Sequence, residues 1–142
     1  MTKPVQSPAT VGKEIDLLNQ ALQLEYTLIV QYAKFAELIN DGEVQRLVRG
    51  LGTASIKHAD VVSRAIVQLG GIPRWSFEIV EPGIDVLRIF QTQLEKEKLA
   101  RELHTQAADL VDDISLKEEF SQMAKEEERH IEIVEKILAG LE

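Results

Sequence analysis

The sequence predicts an all-α fold: a four-helix bundle with one long crossover between its second and third helices and no fifth helix. Three observations predict it. Four long segments carry apolar residues at three-and-four spacing. Clusters of turn and breaker residues separate them. The segment between the second and third helices is long and alternates apolar with polar residues.

Composition agrees with this class and excludes others. The chain has 142 residues, enough for one domain with a sizeable core. It has no cysteine, which removes thiolate metal sites, iron–sulfur clusters and thiol catalysis. Net charge is −8, which argues against general nucleic-acid binding. Hydrophobic residues make up 44% but aromatics only 5%, so aliphatic side chains carry the core. No apolar run is as long as a membrane span. Residues 1–12 are polar, hold Pro4 and Pro8, and lack the apolar stretch of a signal peptide. They are read as a flexible N-terminal tail, 13–142 as the single bundle domain, and the protein as cytoplasmic.

The first helix is expected over 13–39, ending at Asn40-Asp41-Gly42. Its seam runs Ile15, Leu18, Leu22, Glu25, Ile29, Tyr32, Ala36 and Ile39. The second, 43–69, presents Val44, Val48, Leu51, Ser55, His58, Val62, Ala65 and Leu69, and stops at Gly70-Gly71-Ile72-Pro73. The third, 83–111, follows Glu81-Pro82 with a seam of Leu87, Phe90, Leu94, Glu97, Arg101, His104, Ala108 and Val111. The fourth, 115–140, opens on a capping box of Ser115 with Glu118 and presents Leu116, Phe120, Met123, Glu127, His130, Val134, Ile137 and Leu141. Residues 70–82, extended, reach roughly 43 Å, about the length of a 27-residue helix. They are therefore expected to cross the whole bundle and make the second and third helices parallel. Trp75, Phe77 and Ile79 alternate with Ser76 and Glu78, so the apolar side is expected against the helices.

Polar residues interrupt every seam near its midpoint: Glu25, His58, Glu97, and Glu127 with His130. Helices of similar length packed side by side bring those midpoints to one depth. Buried carboxylates are costly alone and need cations, protons or partners. Carboxylate with imidazole is the usual donor set for non-haem iron, manganese or zinc. Glu127 and His130, three apart, share one helix face. The bland alternative is a polar layer that fixes helix register without metal. Glu95 is the rival to Glu97, but it is in phase with Arg88, Gln91 and Glu102, a polar face. The run Glu126-Glu127-Glu128 is read as solvated apart from Glu127. His104, two turns or about 10 Å beyond Glu97, is read as a hydrogen-bonded core histidine too distant for the same ion. Tyr32 is read as a core tyrosine.

The stretches Leu17-Leu18-Asn19 through Glu25 to Gln31-Tyr32, Lys57-His58-Ala59-Asp60 with Leu69-Gly70-Gly71-Ile72-Pro73, and Glu126-Glu127-Glu128-Arg129-His130-Ile131 resemble the ferritin-like superfamily of di-iron carboxylate proteins, and bacterioferritin above all. The resemblance covers residues 13–140. It places Glu25, His58, Glu97, Glu127 and His130 on metal-ligand positions, with Ser55, Arg101 and Tyr32 around them. It implies bound iron, one or two ions, with manganese or zinc as the other metals such donors accept. It also implies oxidation of Fe(II) by dioxygen or peroxide.

Three departures qualify that implication. Ser55 stands where the family's second-helix Glu-x-x-His has its Glu. Arg101 occupies a seam position; turned inward, it would leave about −2 of charge and favour one divalent ion. Ile56 stands where bacterioferritins place a haem-ligating Met, so no haem is expected. The chain ends at Glu142, soon after the fourth helix, which predicts a homodimer or small homo-oligomer rather than a storage shell. Two other functions fit the same residues: a metal-free helical module with Arg101 paired to the carboxylates, and a di-iron oxygenase acting on an organic substrate.

Overall fold

A computed structural model describes the backbone of residues 8–79 and 85–141. It contains four helices: α1 Pro8–Leu38, α2 Gly42–Gln68, α3 Val86–Leu110 and α4 Ile114–Leu141. Helix α1 starts earlier than expected, so residues 8–12 are helical rather than tail. Proline suits a first helical position, because its fixed φ is already helical and its missing N–H would be unpaired there anyway. Residues 1–7 lie outside the described residues.

The other helix ends follow capping chemistry. The Asp41 side chain accepts the N–H groups of Glu43 and Val44, both at 3.0 Å, and starts α2. Gly70, at φ +86°, ends it: the Gly70 N–H reaches Val67 O and the Gly71 N–H reaches Ile66 O. Helix α3 begins at Val86 with Asp85 as its cap, later than the Gly83 start expected; residues 80–84 lie outside the described residues. Helix α4 is capped by Asp113, whose carboxylate accepts the Leu116 N–H at 3.0 Å, and not by the expected Ser115 box.

Helix α1 packs on α2 and α3, and α4 packs on α3 and α2. The diagonal pairs α1–α4 and α2–α3 make no close approach among the described residues. Leu18, Leu22, Leu28, Tyr32 and Phe35 of α1 meet Val48, Leu51, Val62 and Ile66 of α2, Phe90 and Leu103 of α3, and Phe120, Val134 and Ile137 of α4 in one core. The α3 seam runs through Gln93, Glu97, Ala100, His104 and Ala107, all buried, and Arg101 falls beside it, half-buried. A step of three after Glu97 keeps the stripe inside; the predicted step of four rotates Arg101 toward the edge.

Residues 71–79 form the strap. Asn19 of α1 donates to Ile72 O and accepts the Arg74 N–H; Thr27 accepts the Glu78 N–H, and Gln31 donates to Glu78 O. Rising strap numbers therefore follow rising α1 numbers, and the strap runs parallel to α1. Since α2 returns antiparallel to α1, the strap carries the chain back toward the start of α2, which makes α2 and α3 parallel. The strap's apolar side, however, is not buried: Ile72, Trp75, Phe77 and Ile79 are 81%, 75%, 52% and 72% exposed. Backbone hydrogen bonds to polar α1 side chains hold the strap, and this leaves its apolar side chains outward. Trp75 still touches the bundle, with its ring centroid 4.8 Å from that of Tyr26. No described helix is long and apolar enough to cross a membrane.

Candidate metal centre

Glu25, His58, Glu97 and Glu127 are 0% exposed, and His130 is buried beside them. The four helices thus bring all five together. Their donor atoms form two groups that share Glu127: Glu25, His58, His104 and Glu127, then Glu97, Glu127 and His130. Within each group every donor lies within 4.8 Å of the others. Glu95 points outward and pairs loosely with Lys98 at 3.9 Å.

The contacts are short but poorly aimed for hydrogen bonding. His58 Nδ1 is 2.7 Å from Glu127 Oε1 and 3.5 Å from Glu25 Oε1. His130 Nδ1 is 3.1 Å from Glu97 Oε2 and 3.4 Å from Glu127 Oε2. Yet both ring nitrogens, and both carboxylate oxygens of Glu97 and of Glu127, are buried without a well-directed hydrogen bond. Buried polar atoms are rarely left so. Donors around one ion at bonds of about 2.0–2.1 Å stand about 2.9–3.4 Å apart. Close approach with misdirected N–H vectors is what such donors look like, so these residues fit a metal.

Protons meet the same charges in the metal-free protein. Burial would lower the His58 pKa, but Glu127 and Glu25 outweigh it and raise it to about 11. Burial likewise opposes His130, and Glu127 with Glu97 raise it to about 10. Burial pushes Glu97 up to about 8 against the pull of His130. For Glu127 burial is outweighed by His130 and His58, which hold it near 2. The layer is built for cationic charge, and imidazolium supplies it when metal does not.

Two residues lie closer to this chemistry than the sequence suggested. Glu126, read as solvated, is only 30% exposed at its side chain and meets His58 Nε2 at 2.5 Å. This contact holds the proton on Nε2 and leaves Nδ1 facing the layer. It sits one residue off the α4 seam and gave no periodic signal. His104 is a hydrogen-bonded core histidine as expected, with Nε2 2.8 Å from Glu25 Oε1, and it groups with Glu25 rather than with Glu97. Its seam position was visible; its reach to Glu25 on another helix was not.

The surrounding residues divide. Ser55 is fully buried and its hydroxyl has no partner. Tyr32 is fully buried beside Gln93, and burial, then Glu97, Glu127 and Glu25, raise its pKa well above the phenol value. Gly52 lets α2 approach here, since a Cβ would come within 3.3 Å of Tyr32 Cβ. Arg101 makes no ion pair with the three carboxylates among the described contacts, so the positive charge that an inward Arg101 would have brought is absent. The count becomes −3 rather than −2.

The fold and this layer define a class of carboxylate–histidine helical bundles. The chain belongs to the ferritin-like family: the Ferritin-like domain matches residues 15–142. It is 30% identical over 132 residues to a bacterioferritin of Brucella melitensis, covering 87% of this chain and 81% of that one. The fold superimposes on the di-iron bacterioferritin of Desulfovibrio desulfuricans with a TM-score of 0.82 at 24% identity, over 96% of this chain and 84% of the other. For Rhodobacter capsulatus bacterioferritin, solved with a metal-free dinuclear site and haem iron, the values are 0.75 and 27%, over 95% and 87%.

Proposed function

We propose that this protein binds iron in the buried layer and oxidises Fe(II) with dioxygen or peroxide. The observation that carries the reading is that buried donor atoms of His58, His130, Glu97 and Glu127 stand close together yet do not hydrogen-bond one another. Glu25, His58, Glu97, Glu127 and His130 would hold the metal, with Glu127 shared between two positions. The chemistry supplied when iron is bound is loss of one electron per Fe(II) to the oxidant.

The chain's own residues prepare for this. Glu126 orients His58, and the carboxylates lower the potential at which the site stabilises oxidised charge. Tyr32 and Phe120, both fully buried, pack the layer's surroundings and exclude bulk water. A groove of about 620 Å³ between α2 and α4, reaching His58 past Glu126, gives ions and small oxidants a way in. Its walls carry Asp60, Glu118, Glu119 and Glu126 against Lys57 and Arg64, an acidic balance that suits a cation better than an apolar organic substrate. Among the described residues the metal-free module reading lacks its required Arg101 ion pairs. Ile56, 56% exposed on α2, offers no sulfur to a haem iron. The exposed strap supports a homo-oligomer, and a cytoplasmic setting suits a chain without cysteine.

Stopped-flow absorbance after mixing Fe(II) protein with oxygenated buffer tests the activity. Oxidation well above buffer, largely lost in His130→Ala, is expected. Equal rates in the two proteins would reject a catalytic site.

A further inference from the structure

The two halves of the layer share α3 and α4, but only one draws on α1 and α2, and one donor is out of place. In the resemblance described above, α2 would give a carboxylate and a histidine. Here α2 gives only His58, since Ser55 has no carboxylate. Helix α3 gives two potential donors instead of one: Glu97 and, two turns on, His104. We propose that His104 is itself a metal ligand and replaces the donor that Ser55 cannot supply. The inference rests on the iron-site reading and deepens it.

Position comes first. His104 is 0% exposed, and its Nε2 lies 2.8 Å from Glu25 Oε1, within 4.8 Å of the donors of His58 and Glu127. That separation is close to the edge between neighbouring ligands of one ion. Ring orientation comes second. The ring is stacked at 30° on Phe120, with centroids 6.2 Å apart, and stands edge-on to His58 at 83°. Packing therefore fixes the plane in which Nε2 is presented. Tautomer comes third. No acceptor meets His104 Nδ1, in contrast to the Glu126 carboxylate that meets His58 Nε2. Metal at Nε2 would replace the hydrogen bond to Glu25 and shift the ring proton to Nδ1, where, unlike on His58, no protein acceptor meets it, so this ligand is held by packing rather than by a hydrogen bond behind it.

With His104 counted, six side chains again surround the layer: Glu25, His58, His104, Glu97, Glu127 and His130. The halves become unequal. The Glu25 half is a two-histidine, two-carboxylate position; the Glu97 half has one histidine and two carboxylates, with Glu127 common to both. Imidazole-rich sets favour iron, cobalt and zinc over manganese more strongly than carboxylate-rich ones. The Glu25 half also offers four donor side chains against three, and fills first.

Anaerobic titration with Co(II), read by visible absorption, tests this without any catalytic assay. Two steps are expected, the first at least about tenfold tighter. The chain has 3 histidines, so the NMR spectrum of the Co(II)-loaded protein should show hyperfine-shifted ring signals from all of them. Signals from only two would overturn the proposal, and this reading needs no variant to fold. His104→Gln retains an amide that can donate to Glu25 but removes the ring nitrogen. Its tight step should weaken by about 100-fold, the upper range for disturbed metal sites, with the second step within about threefold. His130→Ala should do the reverse. If His104→Gln, shown folded by circular dichroism, binds like the parent, His104 only positions Glu25 and the proposal fails while the iron site stands. If the parent protein takes up no Co(II), both readings fail.

Discussion

The middle of the bundle and the strap break the same rule in opposite directions. At mid-depth, Glu25, Glu97 and Glu127 with three histidines occupy places that leucine would fill at lower cost. On the strap, Ile72, Trp75, Phe77 and Ile79 face solvent, where polar residues would be cheaper. The buried charges have their counter-groups within one chain. The exposed apolar groups are not covered by the described residues. On the proposed reading, the difference assigns chemistry and association to separate parts of the molecule, so damage to one should spare the other.

Glu127→Ala is the harshest way to break that separation, because Glu127 belongs to both donor groups. Iron affinity, measured by anaerobic equilibrium dialysis, should fall by more than about 100-fold. The metal-free variant should also lose about 3–5 kcal/mol, since His58 and His130 lose their main counter-charge. Its oligomeric state should not change. Glu126→Gln is gentler: His58 keeps its place but loses the carboxylate behind it, and affinity should fall about 10- to 100-fold. On the other side of the comparison, Trp75→Ser should weaken self-association by about 30-fold, as loss of a central aromatic contact of about 2 kcal/mol does. Light scattering over a dilution series reads this, and iron binding should stay within about threefold.

The smallest effect is a pH dependence. His58 and His130, raised to about 11 and about 10, are protonated at neutral pH in the metal-free protein. Metal must displace those protons, so affinity rises with pH, about tenfold per unit for each proton released. Calorimetry in buffers of different ionisation enthalpy counts the protons. The same shifts act on stability with a definite sign. Both folded values lie above the unfolded 6.5, so the stabilisation is full below about 6.5 and is lost as pH rises through about 10 and 11. Bound metal should remove most of that alkaline loss.

Much of this was legible in the residues. Three-and-four spacing located the helices, and the length of 70–82 located the crossover. Phase with Phe90 and Met123 picked Glu97 and Glu127 as the inward acids. What stayed hidden depended on contacts between elements. Arg101 and Ala100 differ by one step of the helix, and only packing shows which one faces in. The strap's alternation was real, but Asn19, Thr27 and Gln31 hold its backbone in a way that turns the apolar side out. Glu126 and His104 matter through partners on other helices, His58 and Glu25, at separations of 68 and 79 residues.

The account stands most directly on where iron goes. Crystals of the protein loaded anaerobically with Fe(II) and measured at the iron absorption edge give that answer through anomalous differences. Density is expected between Glu127 and the histidines, with the stronger peak beside Glu25, His58 and His104. Fully loaded crystals with iron only on the outer surface, and none among these side chains, would contradict it.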